Sequence, residues 1–176
     1  MEKQMIIDKI LDINKTNPPN GRYDLIPLFQ DNNIFSSIIN ILSEPYLNKI
    51  DYIASPEALG WILGVAIARK LEVGFVPIRK ENKLPYSGQK IIKNVYMDYS
   101  KQSKALEVKK NLINKNSKIL LVDEWVETGA TIKSCIKLME KLDCKVMGIA
   151  TIGIDENENT KEWIEKSMVT FVGKNI

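Results

Sequence analysis

The sequence contains no histidine and only two cysteines, and each scarcity excludes a class of chemistry. Without histidine, the chain lacks the usual general base of serine and cysteine nucleophile mechanisms and the commonest protein ligand of zinc. Cys135 and Cys144 lie in or just after one predicted helix, which argues against a disulfide framework. We expect both to be packing residues, and we predict a protein of the reducing cytoplasm.

Long apolar runs and blocks of like charge are also missing. No segment reaches the length of a membrane-spanning helix, and residues 1–15 contain no long apolar core or cleavage-like segment. The formal net charge is only +3 and the lysines are spread along the chain, so neither nucleic acid nor a membrane is an expected partner. With 44% hydrophobic residues and only nine glycines and seven prolines, we predict a single globular domain over residues 1–176.

Apolar periodicity predicts an α/β fold. The predicted helices cover residues 5–16, 34–47, 58–71, 104–112 and 130–142. The predicted strands cover residues 52–54, 74–78, 118–122, 145–152 and 168–172. Because strands alternate with helices over most of the chain, we expect a mostly parallel central sheet with helices on both faces.

Ligands of such a sheet bind beyond the carboxyl ends of its strands, where strand-to-helix loops meet. Three predicted loops lie at such ends: residues 55–60, a segment that begins at Arg79, and residues 124–131. We expect these loops to converge on one site. Residues 155–160, DENENT, are predicted to form a polar surface loop.

Residues 119–131, ILLVDEWVETGAT, carry the strongest functional signal. An aliphatic strand ends in Asp123 and Glu124, whose carboxylates can bind the vicinal hydroxyls of a sugar directly or through a divalent cation. The following segment supplies backbone N–H groups at the start of a helix, which is a site for phosphate; its residues are Thr128, Gly129, Ala130 and Thr131. Together these features indicate a ribose 5-phosphate. A merely capped helix would not need two acids directly after a buried strand.

This pattern resembles the phosphoribosyl diphosphate (PRPP) signature of the type I phosphoribosyltransferases. Residues 52–85 resemble the central part of the adenine phosphoribosyltransferases, including an RKxxKLP match at residues 79–85. Residues 22–28 resemble the segment before that family's second helix, and residues 98–107 its mobile active-site loop. The similarity extends from about residue 20 to about residue 152, and it implies the type I phosphoribosyltransferase fold, a homodimer, and residues 1–30 as a helix and hood segment.

The resemblance implies displacement of pyrophosphate from C1 of PRPP by a ring nitrogen of a purine. Mg²⁺ would act as the cofactor, bound to PRPP. The residues that would bind ribose and phosphate are Asp123, Glu124, Glu127, Thr128, Gly129, Ala130 and Thr131. Asp123 and Glu124 would act on the metal only indirectly, because the Mg²⁺ is bound to PRPP.

The resemblance also implies sites for pyrophosphate and for catalysis. The residues that would bind pyrophosphate are Glu57, Ala58, Leu59, Gly60, Arg79, Lys80 and Lys83. Asp98 and Tyr99 match an acid–tyrosine pair on the loop that closes over the reacting centre and excludes water. With Glu127 they form the predicted catalytic set, although Asp98 stands where the family has Glu.

Two departures from the family concern affinity and the choice of base. Leu59 stands where the family has an arginine, and Glu127 stands where adenine enzymes have a small residue and 6-oxopurine enzymes have Asp. A carboxylate at position 127 can accept a proton or a hydrogen bond from purine N7. The predicted base-binding residues are Arg22, Tyr23, Trp125 and Val126.

We favour adenine salvage on this pattern. The alternatives are a hypoxanthine/guanine enzyme, an orotate or uracil enzyme, and a non-catalytic PRPP-binding regulator.

Overall fold

A computed structural model of the chain describes residues 2–16, 23–85, 90–97 and 102–176. The strands are β1 (Tyr52–Pro56), β2 (Gly74–Lys80), β3 (Ile91–Met97), β4 (Ser103–Lys109), β5 (Lys118–Val126), β6 (Lys145–Ile154) and β7 (Val169–Lys174). The α-helices are α1 (Glu2–Ile13), α2 (Ile26–Gln30), α3 (Asn32–Ser43), α4 (Leu59–Leu71), α5 (Ala130–Lys141) and α6 (Lys161–Glu165). Two 3₁₀ turns cover Glu44–Tyr46 and Lys110–Leu112.

The strands form one seven-stranded sheet in the order β3-β4-β2-β1-β5-β6-β7. From β2 to β7 along this order the neighbours are parallel, whereas β4 is antiparallel to both β2 and β3. The helices α4, α5 and α6 connect parallel neighbours, as parallel pairing requires. The prediction of a mostly parallel sheet is confirmed.

Two apolar cores cover the two faces of the sheet. Along β5, Leu120 and Val122 join the core under α1, α3 and α4, while Ile119 and Leu121 join the core under α5. The side chains of a strand alternate between faces, so a run of aliphatic residues is what a strand covered on both sides requires. The predicted helices on both faces are therefore present.

Local signals explain where α3 begins and which face it buries. The Asp31 carboxylate accepts hydrogen bonds from the backbone N–H groups of Asn33 and Ile34 at 3.0 and 3.1 Å, which caps the helix. Ile34, Ile38 and Leu42 recur at helical spacing and are buried. This helix packs against β6, β7 and α4 and closes the core on that side of the sheet.

The helix predicted over residues 104–112 is wrong. Residues 103–109 form β4, which pairs along its whole length with β3, a strand that the periodicity did not predict. The segment is buried continuously from Ala105 to Val108 because α5 covers it, and long-range pairing overrides its local helical spacing. The predicted mobile loop over residues 98–107 is also shorter than expected. Its second half, residues 103–107, belongs to β4.

The N-terminal helix packs onto the main body. α1 contacts β7 and α3, and the Asn14 side chain exchanges hydrogen bonds with the backbone of Asp24 at 2.7 and 3.2 Å. The assignment of residues 1–30 as a hood, within one domain over residues 1–176, stays a prediction. Among the residues that the structure describes, no helix is long and apolar enough to span a membrane.

Candidate functional site

A cavity of about 450 Å³ opens beyond the carboxyl ends of β1 and β5. The first predicted loop contributes Pro56, Glu57 and Leu59, and the second contributes Lys80. The third loop supplies every residue from 123 to 132. The expected convergence of three loops is confirmed. Further lining residues are Tyr23, Leu25, Tyr96, Lys104, Leu106 and Asp155.

The segment between β5 and α5 forms the floor of the cavity. Gly129 has a φ of 77°, a left-handed conformation that favours glycine, and α5 begins at the next residue, Ala130. The Thr128 hydroxyl oxygen accepts from the Ala130 N–H at 3.4 Å. A β-carbon on Gly129 would lie 3.2 Å from Thr160 and from Trp163, so the turn is also tightly packed from behind. The first turn of a 12-residue helix therefore meets the cavity.

The two acids at the end of β5 lie at the cavity wall in different environments. Asp123 is only 7% exposed, and its Oδ1 accepts from the Glu124 N–H at 3.0 Å. Glu124 is half-buried. Burial of a carboxylate is costly unless polar groups surround it, so Asp123 is built into the site rather than left in solvent.

Cys135 lies behind this pair on α5. Burial raises the pKa of its thiol well above the ordinary value, and the Asp123 carboxylate raises it further. The thiol is therefore protonated at neutral pH and cannot act as a thiolate nucleophile. Cys135 and Cys144 are both free cysteines, as the sequence predicted.

In the first loop, the Glu57 carboxylate forms an ion pair with Arg79. The Glu57 Oε2 accepts from Arg79 at 3.1 and 3.3 Å, and its Oε1 accepts from the Lys80 N–H at 2.6 Å. The Arg79 guanidinium also lies 5.2 Å from the Trp61 ring centre. Arg79 is thus neutralised by Glu57, while Leu59 presents an apolar side chain to the cavity.

The predicted pyrophosphate residues are therefore divided. Glu57, Leu59 and Lys80 line the cavity, and within the described part of the chain the cavity wall does not include Ala58, Gly60, Arg79 or Lys83. Gly60 instead packs against the side chain of Asp123.

The predicted base-binding residues form an aromatic wall. The Tyr23 and Trp125 rings stack with centres 4.7 Å apart and planes 25° apart. The Tyr23 hydroxyl donates to the Ile176 backbone oxygen, and the Trp125 indole N–H donates to Asp155 Oδ2 at 3.3 Å. Val126 lies beside them in the cavity wall. Arg22 lies outside the described residues.

The predicted catalytic residues are only partly visible. Glu127 is exposed and lines the cavity. Asp98 and Tyr99 lie outside the described residues. The antiparallel strands β3 and β4 bring Tyr96 and Lys104 to the cavity. The sequence pattern assigned no individual role to either residue.

The polar loop of residues 155–160 supports residues 127–131, here called the phosphate segment, through hydrogen bonds to their backbone. The Asn157 side-chain amide donates to the Glu127 carbonyl at 2.7 Å, and the Asn159 amide donates to the Thr128 carbonyl at 3.0 Å. Sequence reasoning missed this role because the partners are about thirty residues away. Asparagines in a loop signal local turns, not the distant carbonyl that each one binds.

The donor set suits a metal carried by a substrate. The described residues contain no group of three or more His, Cys, Asp or Glu side chains placed to hold a metal ion. Asp123 and Glu124, which are neighbours in the chain, both line the cavity, and Mg²⁺ in proteins commonly combines one or two carboxylates with substrate phosphates. The residues present fit such a shared site.

Comparisons with known proteins give the family. The phosphoribosyl transferase domain family matches residues 28–175. A relative from Helicobacter hepaticus, named adenine phosphoribosyltransferase, is 35% identical over 180 residues, covering 99% of this chain and 100% of that protein. Another of that name from Dinoroseobacter shibae is 39% identical over 128 residues, covering 72% and 69%.

Solved structures agree on the fold. The crystal structure of adenine phosphoribosyltransferase from Thermoanaerobacter pseudethanolicus matches with a TM-score of 0.82 at 26% identity, covering 96% of this chain and 99% of that one. The Trypanosoma brucei enzyme, solved with AMP, pyrophosphate and ribose-5-phosphate, shares the fold at 22% identity with a TM-score of 0.79, covering 96% and 79%. The resemblance inferred from the sequence is confirmed. The chain belongs to the phosphoribosyltransferase family, and it is an enzyme of the adenine phosphoribosyltransferase type.

Proposed function

We propose that the chain transfers the 5-phosphoribosyl group of PRPP to adenine and releases pyrophosphate, a reaction of purine salvage. One observation carries the proposal. A phosphate-binding helix start, an acid pair and an aromatic wall line the same cavity. A nucleotide presents a phosphate, a ribose and a base, and each of these features suits one of the three parts. The similarity over nearly the whole length of the H. hepaticus enzyme supports adenine as the base.

The proposal gives each segment of the site one part of the substrate to bind. The 5-phosphate binds to the N–H groups at the start of α5 and to the hydroxyls of Thr128 and Thr131. Asp123 and Glu124 accept hydrogen bonds from the ribose hydroxyls. The base stacks on the wall formed by Tyr23 and Trp125.

The reaction breaks the bond between C1 and the pyrophosphate oxygen and forms a bond between C1 and a ring nitrogen of the base. The proton of the base passes to an acceptor, for which the predicted residue is Glu127, and pyrophosphate leaves with the electron pair of the broken bond. Positive charge develops on the ribose, so the carboxylates of Asp123 and Glu124 stabilise it electrostatically. Mg²⁺ bound to PRPP would neutralise charge on the diphosphate, and this acid pair would act on the metal indirectly, through the bound PRPP.

Pyrophosphate is expected at the first loop. Lys80 is the cation of the predicted set that lines the cavity, and it acts with the backbone N–H groups of residues 58–60. The Glu57 N–H donates to the Ile78 carbonyl at 3.1 Å instead. Arg79 and Lys83 remain predicted pyrophosphate ligands. Arg79 is paired with Glu57, so it would have to leave that carboxylate to bind directly.

Asp98, Tyr99 and Arg22 also remain predictions from the resemblance. Glu127 is the residue that favours a second candidate base. Its carboxylate is exposed at the cavity and stands where 6-oxopurine enzymes have an acid, so hypoxanthine or guanine is the alternative substrate.

The direct test is release of pyrophosphate from Mg²⁺-PRPP with each base supplied separately. We expect release with adenine at a rate at least about tenfold above that with hypoxanthine, guanine, orotate or uracil. Release of pyrophosphate with hypoxanthine or guanine, and not with adenine, would show that a 6-oxopurine is the substrate. Removal of Mg²⁺ with a chelator should abolish release, and retention of the full rate would contradict the role proposed for the metal.

Two further proposals concern assembly and location. We propose a homodimer, as the resemblance implies, and the apolar side chains Ile62 and Val65 on the outer face of α4 support it because they are 45% and 50% exposed. Light scattering should give about twice the 20.1 kDa of the chain, and a measured mass equal to that of one chain would contradict the dimer.

The free thiols of Cys135 and Cys144 support a cytoplasmic location.

A further inference from the structure

Asp155 is a cavity residue that neither the sequence pattern nor the proposed reaction uses. It follows the last residue of β6, and its backbone N–H donates to the Val126 carbonyl at 2.9 Å. Its own carbonyl accepts from the Thr160 hydroxyl at 2.6 Å and from the Asn157 amide at 3.1 Å. The backbone is thus held on both sides, and the half-buried side chain lines the cavity.

The Asp155 carboxylate is aligned with the aromatic wall. The indole N–H of Trp125 donates to Oδ2 at 3.3 Å, and the Trp125 ring is itself stacked on Tyr23. A β-carbon on Gly153, the neighbour of Trp125 in the sheet, would lie 2.2 Å from the indole, so only glycine leaves room for this ring. The position of the ring therefore fixes the carboxylate at the edge of the wall.

The chemistry of this position is that of a hydrogen-bond acceptor. An ionised carboxylate offers about four lone-pair sites on two oxygens, and Trp125 uses one of them. Of the other acids in the cavity wall, Glu57 is paired with Arg79, and Asp123 and Glu124 face the proposed ribose site. Glu127 is exposed at the cavity and is the predicted acceptor for the N7 edge of the base. Asp155 lies instead beside the wall on which a base stacks. A planar base on that wall presents its edge to this carboxylate.

We propose that Asp155 selects the base by accepting a hydrogen bond from an exocyclic amino group on its ring edge. The inference rests on the proposed function and adds a reason for selectivity against bases without an exocyclic amino group, such as hypoxanthine. Aminopurines satisfy the carboxylate, whereas a base without the amino group leaves a half-buried charge without that partner. Sites built to bind an N–H group discriminate strongly against analogues that lack it.

A purely structural role makes a different prediction. If Asp155 served only to hold the Trp125 ring, its loss would weaken every base that stacks on the wall by a similar factor. Unsubstituted purine separates the two roles, because it has the same rings as adenine and lacks the amino group. The comparison of adenine with purine therefore isolates the hydrogen bond.

The experiment measures kcat/KM for adenine and for purine in the wild-type chain and in Asp155→Leu, Asp155→Asn and Glu156→Gln. Asp155→Leu should lower kcat/KM for adenine about 10- to 100-fold, the loss of one hydrogen bond to a charged acceptor, and that for purine less than about 3-fold. Asp155→Asn keeps the size and one acceptor oxygen, so its loss should be smaller. Glu156→Gln is the matched control, because this neighbouring carboxylate pairs with Lys174.

The remaining readouts separate the failures. The KM for PRPP should change less than about 2-fold in all variants, and thermal unfolding checks that each one folds. The inhibition constant of purine against adenine repeats the comparison by binding alone. Equal losses for adenine and purine, or no loss for either, overturn the inference while the proposed function stands. A wild-type chain that releases no pyrophosphate with any base overturns the proposed function, and this inference with it.

Discussion

Gly60 and Asp123 lie in direct contact. A β-carbon built on Gly60 would stand 3.0 Å from the Asp123 Oδ1 and 3.3 Å from the Val122 carbonyl oxygen. The first turn of α4 therefore packs on the acid that ends the buried part of β5. This close approach favours glycine and couples the first loop of the site to the proposed ribose site.

Gly60→Ala should displace the Asp123 carboxylate. We expect the KM for PRPP to rise about tenfold and the free energy of unfolding to fall by about 1–3 kcal/mol, because the added methyl group overpacks a buried contact. Steady-state kinetics and urea unfolding measure the two effects. Lys70→Ala, at an exposed position in the last turn of the same helix, is the control. An unchanged KM in Gly60→Ala would show that the contact does not position the acid.

Asn157→Ala should weaken the binding of PRPP without touching it. The variant removes the 2.7 Å hydrogen bond to the Glu127 carbonyl that holds the phosphate segment, and also the 3.1 Å hydrogen bond to the Asp155 carbonyl. We expect the KM for PRPP to rise about 3- to 10-fold, which corresponds to one ordinary hydrogen bond. The KM for adenine should change little, because the Thr160 hydroxyl still donates to the Asp155 carbonyl at 2.6 Å. Glu158→Ala, at an exposed position of the same loop, should behave as wild type. Equal effects of the two substitutions would contradict a positioning role.

Leu59→Arg should increase the affinity for PRPP. Leu59 lines the cavity where the family has an arginine, and Arg79 nearby is already neutralised by Glu57. A new guanidinium at position 59 can bind the diphosphate with two hydrogen bonds. We expect the KM for PRPP to fall about 3- to 10-fold, measured against Leu47→Arg, an exposed position that does not line the cavity. A fall of the same size in Leu47→Arg would assign the effect to net charge alone.

Stability should decrease at alkaline pH through Cys135. Burial first, and then the Asp123 carboxylate, raise the pKa of this thiol above its unfolded value. The neutral thiol therefore stabilises the fold fully below the unfolded pKa, and this contribution is lost as pH rises above it. Urea unfolding at pH about 7 and about 9.5 should show a smaller alkaline loss in Cys135→Ala than in wild type. Equal losses of stability in the wild type and in Cys135→Ala would assign the effect to other groups. Cys144→Ala, which removes the other cysteine, is measured for comparison.

The sequence predicts those parts of the site that are contiguous in the chain. Asp123, Glu124 and the turn at Gly129 follow a buried strand directly, so local pattern and strand-end geometry suffice to bring them together. Asp155 and Asn157 act on partners about thirty residues away, and no local signal specifies those partners.

The same reason explains the error in the fold. The spacing of residues 104–112 is compatible with a helix, but pairing with β3 and burial under α5 decide in favour of a strand. The ion pair between Arg79 and Glu57 was also outside local reasoning, because the two residues lie on different strand ends that only the sheet brings together. The sequence predicts the cations of the RKxxKLP segment, but it does not predict that Glu57 neutralises Arg79.

The most direct test of the account is formation of AMP from adenine and Mg²⁺-PRPP by the wild-type chain and by the double variant Asp123→Asn, Glu124→Gln. We predict that the wild-type chain forms AMP and pyrophosphate in equal amounts. We predict that the double variant, with an unchanged unfolding transition, loses at least about 100-fold in rate, because the carboxylates stabilise charge that develops on the ribose. No AMP from the wild-type chain, or a full rate in the double variant, would contradict the account.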